Sequence, residues 1–358
     1  MKILCIGDIV GENGVKKFKE ELPKIREEEK IDFVIVNAEN SAGGMGITTK
    51  IFNDILNINV DAITMGNHTW GKKDIFSFID HPKLLRPANY SKGVVGHGYG
   101  IYNCNDKKIG VIDLIGRTDM NVLSDNPFTR ANEIIDKIKK DCDMIFVEFH
   151  AEATAEKIAM AKFLDGRATA VYGTHTHVQT ADETILENGT AYITDIGMTG
   201  PMDSVIGMDC KASIKRFVTS LPERYKLAEG NCMLNGCIFE VNDENCRVIN
   251  INRIVNINEN NEETNHFIAE DIYKFSLNLI EKYKSTISVK SISQFNEYEE
   301  EELKKYLFNV LNELYSLNSE DDMDDFSEDS DDTDYFNGTD SDKNILNELV
   351  KPENIKAK

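Results

Sequence analysis

Five short runs of apolar, largely β-branched residues each lead into a polar group of the same character, and this pattern constrains the fold more than any other feature. Ile3–Ile6 is followed by Gly7-Asp8, and Phe33–Val36 by Asn37-Ala38-Glu39-Asn40. Ala62–Met65 is followed by Gly66-Asn67-His68, Met144–Phe149 by His150, and Ala168–Tyr172 by Gly173-Thr174-His175-Thr176-His177. Runs this continuously apolar read as strands covered by other layers rather than as half-exposed strands. Ile109–Leu114 and Ala191–Thr194 are further runs of the same kind. Helical stretches separate them. Val15, Phe18, Leu22 and Ile25 make one stripe, with Pro23 placed to kink it or to start a second helix. Thr129–Lys140 and Thr154–Leu164 also fit helices. The alternation predicts an α/β protein with its sheets covered on at least one face. Gly236–Val241 and Arg247–Ile251, joined by a turn at Asn242–Asn245, add an antiparallel portion.

This texture runs from residue 1 to about 255 and then changes. A polar linker, Asn256–Asn265, opens a region (256–317) that reads as a helical extension. Phe267–Lys284 fits one helix, and Leu303, Tyr306, Leu307, Val310, Leu311 and Leu314 make an amphipathic stripe on a second. Such a pair either packs on the body or offers a surface to a protein partner. Residues 318–358 form an acidic segment. Between Ser319 and Asp342 stand twelve carboxylates and no lysine or arginine, which is −12 of the chain's net −22. A segment so charged and so poor in apolar surface reads as a disordered tail.

The same net charge argues against long nucleic acids as partners, because their affinity comes mostly from neutralised phosphates. No run of eighteen apolar residues is present, so no membrane span is expected. The opening "MKILCIGD" turns polar too soon for a secretory signal. Seven scattered cysteines without a C-x-x-C pair suit reduced thiols and a cytoplasmic setting.

Open α/β sheets bind ligands outside the carboxyl ends of their strands. Here those ends present Asp, Glu, Asn and His, which are donors for Mn, Fe, Zn or Ni rather than for Ca. Singly, each residue has an ordinary explanation: a turn, a cap, a core histidine. Together they collect four of the seven histidines, leaving His81, His97 and His266 as loop residues. The glycines of "GDIVGENG" (7–14) fit neither the dinucleotide fingerprint nor the P-loop. In an extended segment, His175 and His177 would project to the same side. Whether they grip one ion or two is open on this ground alone.

In this order the residues resemble the calcineurin-like metallophosphoesterases, and within them the bacterial YmdB-like branch of cyclic-nucleotide phosphodiesterases. The stretches that carry the resemblance are "NAENSAGGMGIT" (37–48), "ITMGNHTWGKKDI" (63–75), "GTHTHVQTAD" (173–182) and "IGMTGPMDSVIGM" (196–208). Two departures from the wider superfamily mark the branch. Val10 stands where D-x-H would place a histidine, and Glu39 stands where a bridging aspartate is usual. The resemblance implies a four-layer β-sandwich flanked by helices. It implies two transition-metal ions, most often Fe or Mn, one held by Asp8, Glu39, Asn40 and His177. The other would be held by Glu39, Asn67, His150 and His175, with Glu39 bridging and His68 as general acid. It further implies hydrolysis of nucleoside 2′,3′-cyclic phosphates to 3′-nucleotides, or of 3′,5′-cyclic nucleotides, and a homo-oligomer. A monoesterase on the same site, or a metal-dependent scaffold with little turnover, are the competing readings. Segment 197–208 reads as a turn-rich loop, either a crossover or a cover over the site.

Overall fold

The computed structural model describes residues 1–224 and 226–257. The expected helices of the extension and the acidic tail lie outside the described residues. Asn256 and Ile257, expected to open a linker, instead continue a strand.

The chain opens with β1 (Lys2–Ile6), β2 (Asp8–Ile9), α1 (Gly11–Glu28), β3 (Phe33–Asn37), α2 (Thr49–Asn57) and β4 (Ala62–Thr64). A 3-10 turn at Lys73–Ser77 precedes β5 (Tyr99–Cys104), β6 (Lys107–Ile115), α3 (Pro127–Ile138), β7 (Met144–His150) and α4 (Thr154–Leu164). Next come β8 (Ala170–Thr174), β9 (Thr184–Ile185), β10 (Ala191–Ile193) and β11 (Met198–Pro201). The last described elements are α5 (Cys210–Thr219), β12 (Cys232–Val241) and β13 (Val248–Ile257).

The strands form two mixed sheets. One has the order β2-β11-β12-β1-β3-β4, with β13 paired to β12; the other runs β5-β6-β7-β8-β10-β9. β1, β3 and β4 run parallel, as do β6, β7, β8 and β10, whereas β12 and β13 make the expected antiparallel portion. The reason both faces of each sheet are apolar lies in the cores. Ile3, Cys5, Phe33 and Ile35 of the first sheet meet Val111, Phe146, Tyr172 and Ile193 of the second. The alternate residues Leu4, Ile6, Val34 and Val36 face α1 and α2, and Ile112, Val147 and Val171 face α3 and α4. This is the four-layer sandwich, helices outside and sheets within.

Two expectations change. Pro23 does not start a second helix; one helix runs from Gly11 to Glu28 with Pro23 inside it. A proline inside a helix costs about 3 kcal/mol, but burying Phe18, Leu22 and Ile25 on its inner face contributes roughly 1.5–3 kcal/mol each. Burial wins. Segment 197–208 is only partly loop. Met198–Pro201 is a strand wedged between β2 and β12, where Gly200 leaves room for Val10; a Cβ there would lie 3.0 Å from that of Val10. Among the described residues no helix is long and apolar enough to cross a membrane, and all seven cysteines are free thiols.

Candidate metal centre

All five polar strand ends open onto one place. Asp8 is the first residue of β2, Glu39 and Asn40 follow β3, Asn67 and His68 follow β4, His150 ends β7, and His175 and His177 follow β8. The structure joins all eight by contacts. Glu39, His150 and His175 each offer a ligand atom, and these atoms lie within 4.8 Å of one another. His150 Nε2 lies 2.8 Å from Asn67 Oδ1, 3.1 Å from Glu39 Oε1 and 3.1 Å from His175 Nδ1. Asn40 Nδ2 lies 3.1 Å from His177 Nε2 and 3.3 Å from Glu39 Oε1. Asp8 Oδ2 accepts from the His175 backbone N–H at 3.1 Å, tying β2 to the histidine turn.

The outward nitrogens of the three buried-side histidines are all engaged. His150 Nδ1 donates to Thr174 Oγ1 at 2.9 Å, and that hydroxyl donates to Glu148 Oε1 at 3.0 Å. His175 Nε2 faces Glu152 Oε2 at 3.1 Å, and His177 Nδ1 donates to the Ile206 carbonyl at 2.9 Å. The other nitrogen of each ring is therefore turned inward. Around His150 Nε2, three acceptor atoms compete for at most one proton, which is the donor set a cation would satisfy. Asp8 Oδ1, fully buried, accepts no hydrogen bond among the described residues. These residues fit divalent transition-metal ions. Asn40 turns its Oδ1 to His68 Nδ1 at 2.6 Å, so offering that oxygen to a cation requires the amide to rotate by half a turn, which leaves its shape unchanged.

Electrostatics agree with that fit. Burial alone would push His150 down, but Glu39 and then Asp8 lift it to about 9. Burial and then the neighbouring His150 push His175 down to about 3. Burial would raise Glu39, yet His150 and His68 hold it well below the usual carboxylate range. Asp8 is raised by burial, with His150 and His177 opposing. One proton on His150 thus does the work of a cation between carboxylates, and metal binding would displace it.

The histidine segment is not extended as the alternation argument supposed. His175 has φ 95° and His177 φ 65°, both in the left-handed region that L side chains seldom adopt. Two such residues cost on the order of 1–3 kcal/mol each and need surroundings that enforce them. Both rings reach the cluster through this strained turn, not through strand periodicity. Residues overlooked in the sequence also shape the site. Glu148 is buried among Asn37, Thr64, Tyr172 and Thr174, and Gly66 packs so close that a Cβ would lie 2.4 Å from both Glu39 Oε2 and His150 Nε2. An acid inside a buried strand, as in "VEFH", was a readable signal for Glu148. Glu152 carried no comparable signal.

The profile of the family described as YmdB-like protein matches residues 4–254. The chain belongs to the YmdB-like family. A 2′,3′-cyclic-nucleotide 2′-phosphodiesterase of Bacillus subtilis strain 168 is 50% identical over 256 residues, covering 71% of this chain and 97% of that protein. A phosphatase of Mycoplasma pneumoniae known from its crystal structure is 37% identical with a TM-score of 0.68, over 72% of this chain and 93% of its own. A hypothetical protein of Thermus thermophilus, also known from its crystal structure, is 36% identical with a TM-score of 0.68, over 72% and 99%. In this YmdB-like chain the likeness thus spans the two-sheet body that carries all eight clustered residues.

Proposed function

We propose that the protein is a metal-dependent phosphodiesterase that hydrolyses nucleoside 2′,3′-cyclic phosphates at the 2′ ester bond, leaving 3′-nucleotides. The observation that carries this reading is the single cluster of Asp8, Glu39, Asn40, Asn67, His68, His150, His175 and His177. Its likeness to the Bacillus phosphodiesterase supplies the substrate class.

Two ions, Fe or Mn, are held in this reading by the sets Asp8–Glu39–Asn40–His177 and Glu39–Asn67–His150–His175. Bound there, they supply Lewis acidity to the phosphoryl group and to the attacking water. The chain does the rest. Carboxylates are few, so neutral Asn and His donors leave the centre positive for an anionic substrate. Water's oxygen bonds to phosphorus as the bond to O2′ breaks; O2′ takes a proton from His68, and the proton that the water gives up passes to solvent, from which the ring is reprotonated. That ring is oriented by the contact of its Nδ1 to the Asn40 side-chain amide, and its side chain stays 32% exposed, within reach of substrate.

The test is a substrate panel on the full chain after chelation and reloading with Mn²⁺ or Fe²⁺, with elemental analysis alongside. Expected are two metal equivalents, 3′-nucleotide as product, and loss of turnover on chelation. A preference for phosphomonoesters over cyclic diesters would overturn the assignment.

A further inference from the structure

Lys157 on α4 and Asp195, just beyond β10, meet at 2.8 Å with side chains only 1% and 0% exposed. A buried ion pair is a weak source of stability, since apolar residues of similar volume do as well or better. Its partners point to a different role. Asp195 Oδ2 also accepts from the Thr176 backbone N–H at 3.1 Å and from Thr176 Oγ1 at 2.7 Å, while Oδ1 accepts from the Gly197 N–H at 2.8 Å. Thr176 is the residue between the two strained histidines.

Two bonds from one residue to one carboxylate fix both the backbone and the side chain at the centre of the turn. With Thr176 held, His175 and His177 on either side keep their left-handed φ values, and their rings turn to His150 and Asn40. Released, the two residues would relax toward negative φ and carry the rings away from the cluster. The long Lys157 side chain reaches under this turn from the helical layer and seats Asp195 against it.

We propose that Lys157 and Asp195 are positioning residues: a buried clamp on Thr176 that holds both histidines of the "THTH" turn toward the metal centre. The proposal rests on the metal reading above and reaches across both metal positions, because each histidine serves a different one.

The test uses the full chain, stripped by chelator and titrated with Mn²⁺, with calorimetric affinity and the metal-free unfolding temperature as readouts. Lys157→Met combined with Asp195→Asn is expected to weaken Mn²⁺ binding at both positions by about 10–100-fold, the range for outer-shell partners. Its metal-free unfolding temperature is expected to stay within about 4 °C of wild type. Thr176→Val keeps the shape and loses one arm of the clamp; it should weaken binding by about 10-fold, and Thr176→Ser should restore it. If the double variant fails to fold, the Thr176 pair decides. Mn²⁺ affinity unchanged in Thr176→Val overturns the clamp alone. Wild-type protein that takes up neither Mn²⁺ nor Fe²⁺ overturns the metal reading and the clamp with it.

Discussion

Gly66 offers the sharpest single perturbation of the site. It ends the approach to Asn67 and His68, and a Cβ built on it falls 2.4 Å from Glu39 Oε2, 2.4 Å from His150 Nε2 and 2.5 Å from His150 Cδ2. Ordinary van der Waals contact for a Cβ begins at 3.4 Å. One methyl group must therefore drive the Glu39 carboxylate and the His150 ring back by about 1 Å, or be driven back itself. Neither side chain has room, since both are fully buried and His150 is tied through Thr174 to Glu148. A 1 Å misplacement at a reacting centre costs on the order of 100-fold in rate, about 2.7 kcal/mol in barrier. Gly66→Ala is thus expected to lower kcat/KM on a 2′,3′-cyclic nucleotide about 100-fold at saturating Mn²⁺, and to weaken metal binding. Gly93→Ala is the control: its φ is +88°, but a Cβ there meets nothing within 4 Å, so it costs only local backbone strain. Steady-state kinetics and elemental analysis on both variants make the measurement. Full metal content with activity within about threefold of wild type in Gly66→Ala would refute the packing argument.

His68→Ala should reduce turnover about 10²–10⁴-fold while leaving metal content unchanged, read by kinetics and elemental analysis together. In metal-free protein, burial pushes the Glu148 carboxyl from 4.5 up to about 7, with Thr64 and Asn37 opposing. The folded state therefore binds that proton more tightly than the unfolded state does. The stability it contributes is full below pH 4.5 and is lost as pH rises toward about 7. Glu148→Gln should flatten this part of the stability profile, and denaturant titrations from pH 4.5 to 7.5 check it; an unchanged slope counts against the shift. Arg86 spends its guanidinium on the carbonyls of Pro87, Val94, Val95 and Gly96. Arg86→Leu strands those acceptors and is expected to destabilise by roughly 3 kcal/mol or more, measured by urea unfolding.

The strand ends were legible because burial on both faces leaves an unmistakable apolar run, and the polar residue that breaks it marks where the strand emerges. The limits of α4, Thr154–Leu164, are legible as well. Pro23 misled because helix propensity is local and the burial that outweighs it is not. β11 was hidden in "GMTGPM" because its glycine serves close packing against Val10, a demand that only the neighbouring strand creates. That these eight residues cluster was legible, since their types and spacing match a family pattern. How His175 and His177 reach the cluster was not legible. Thr176 between them is tied to Asp195, nineteen residues further on, and through it to Lys157 on a helix that precedes them. No local pattern reports such a tie.

The first sheet places β1 next to β12, and separates β1 from β2 by both β12 and β11. The Met1 amino group itself rests on the Val241 carbonyl at 3.0 Å. Asp8, the earliest of the clustered residues to be synthesised, gains its sheet neighbour, Met198 of β11, only after all the other clustered residues have been made. A nascent chain that has exposed Glu39, Asn67 and His150 still lacks the strand that pairs with Asp8 until residue 201 has emerged. Pairing of such sequence-distant strands is slow to nucleate, so Asp8 is expected to join the centre late. A ribosome-bound fragment cut short before β11 should lack the strand that seats Asp8, which couples metal capture to the arrival of that strand.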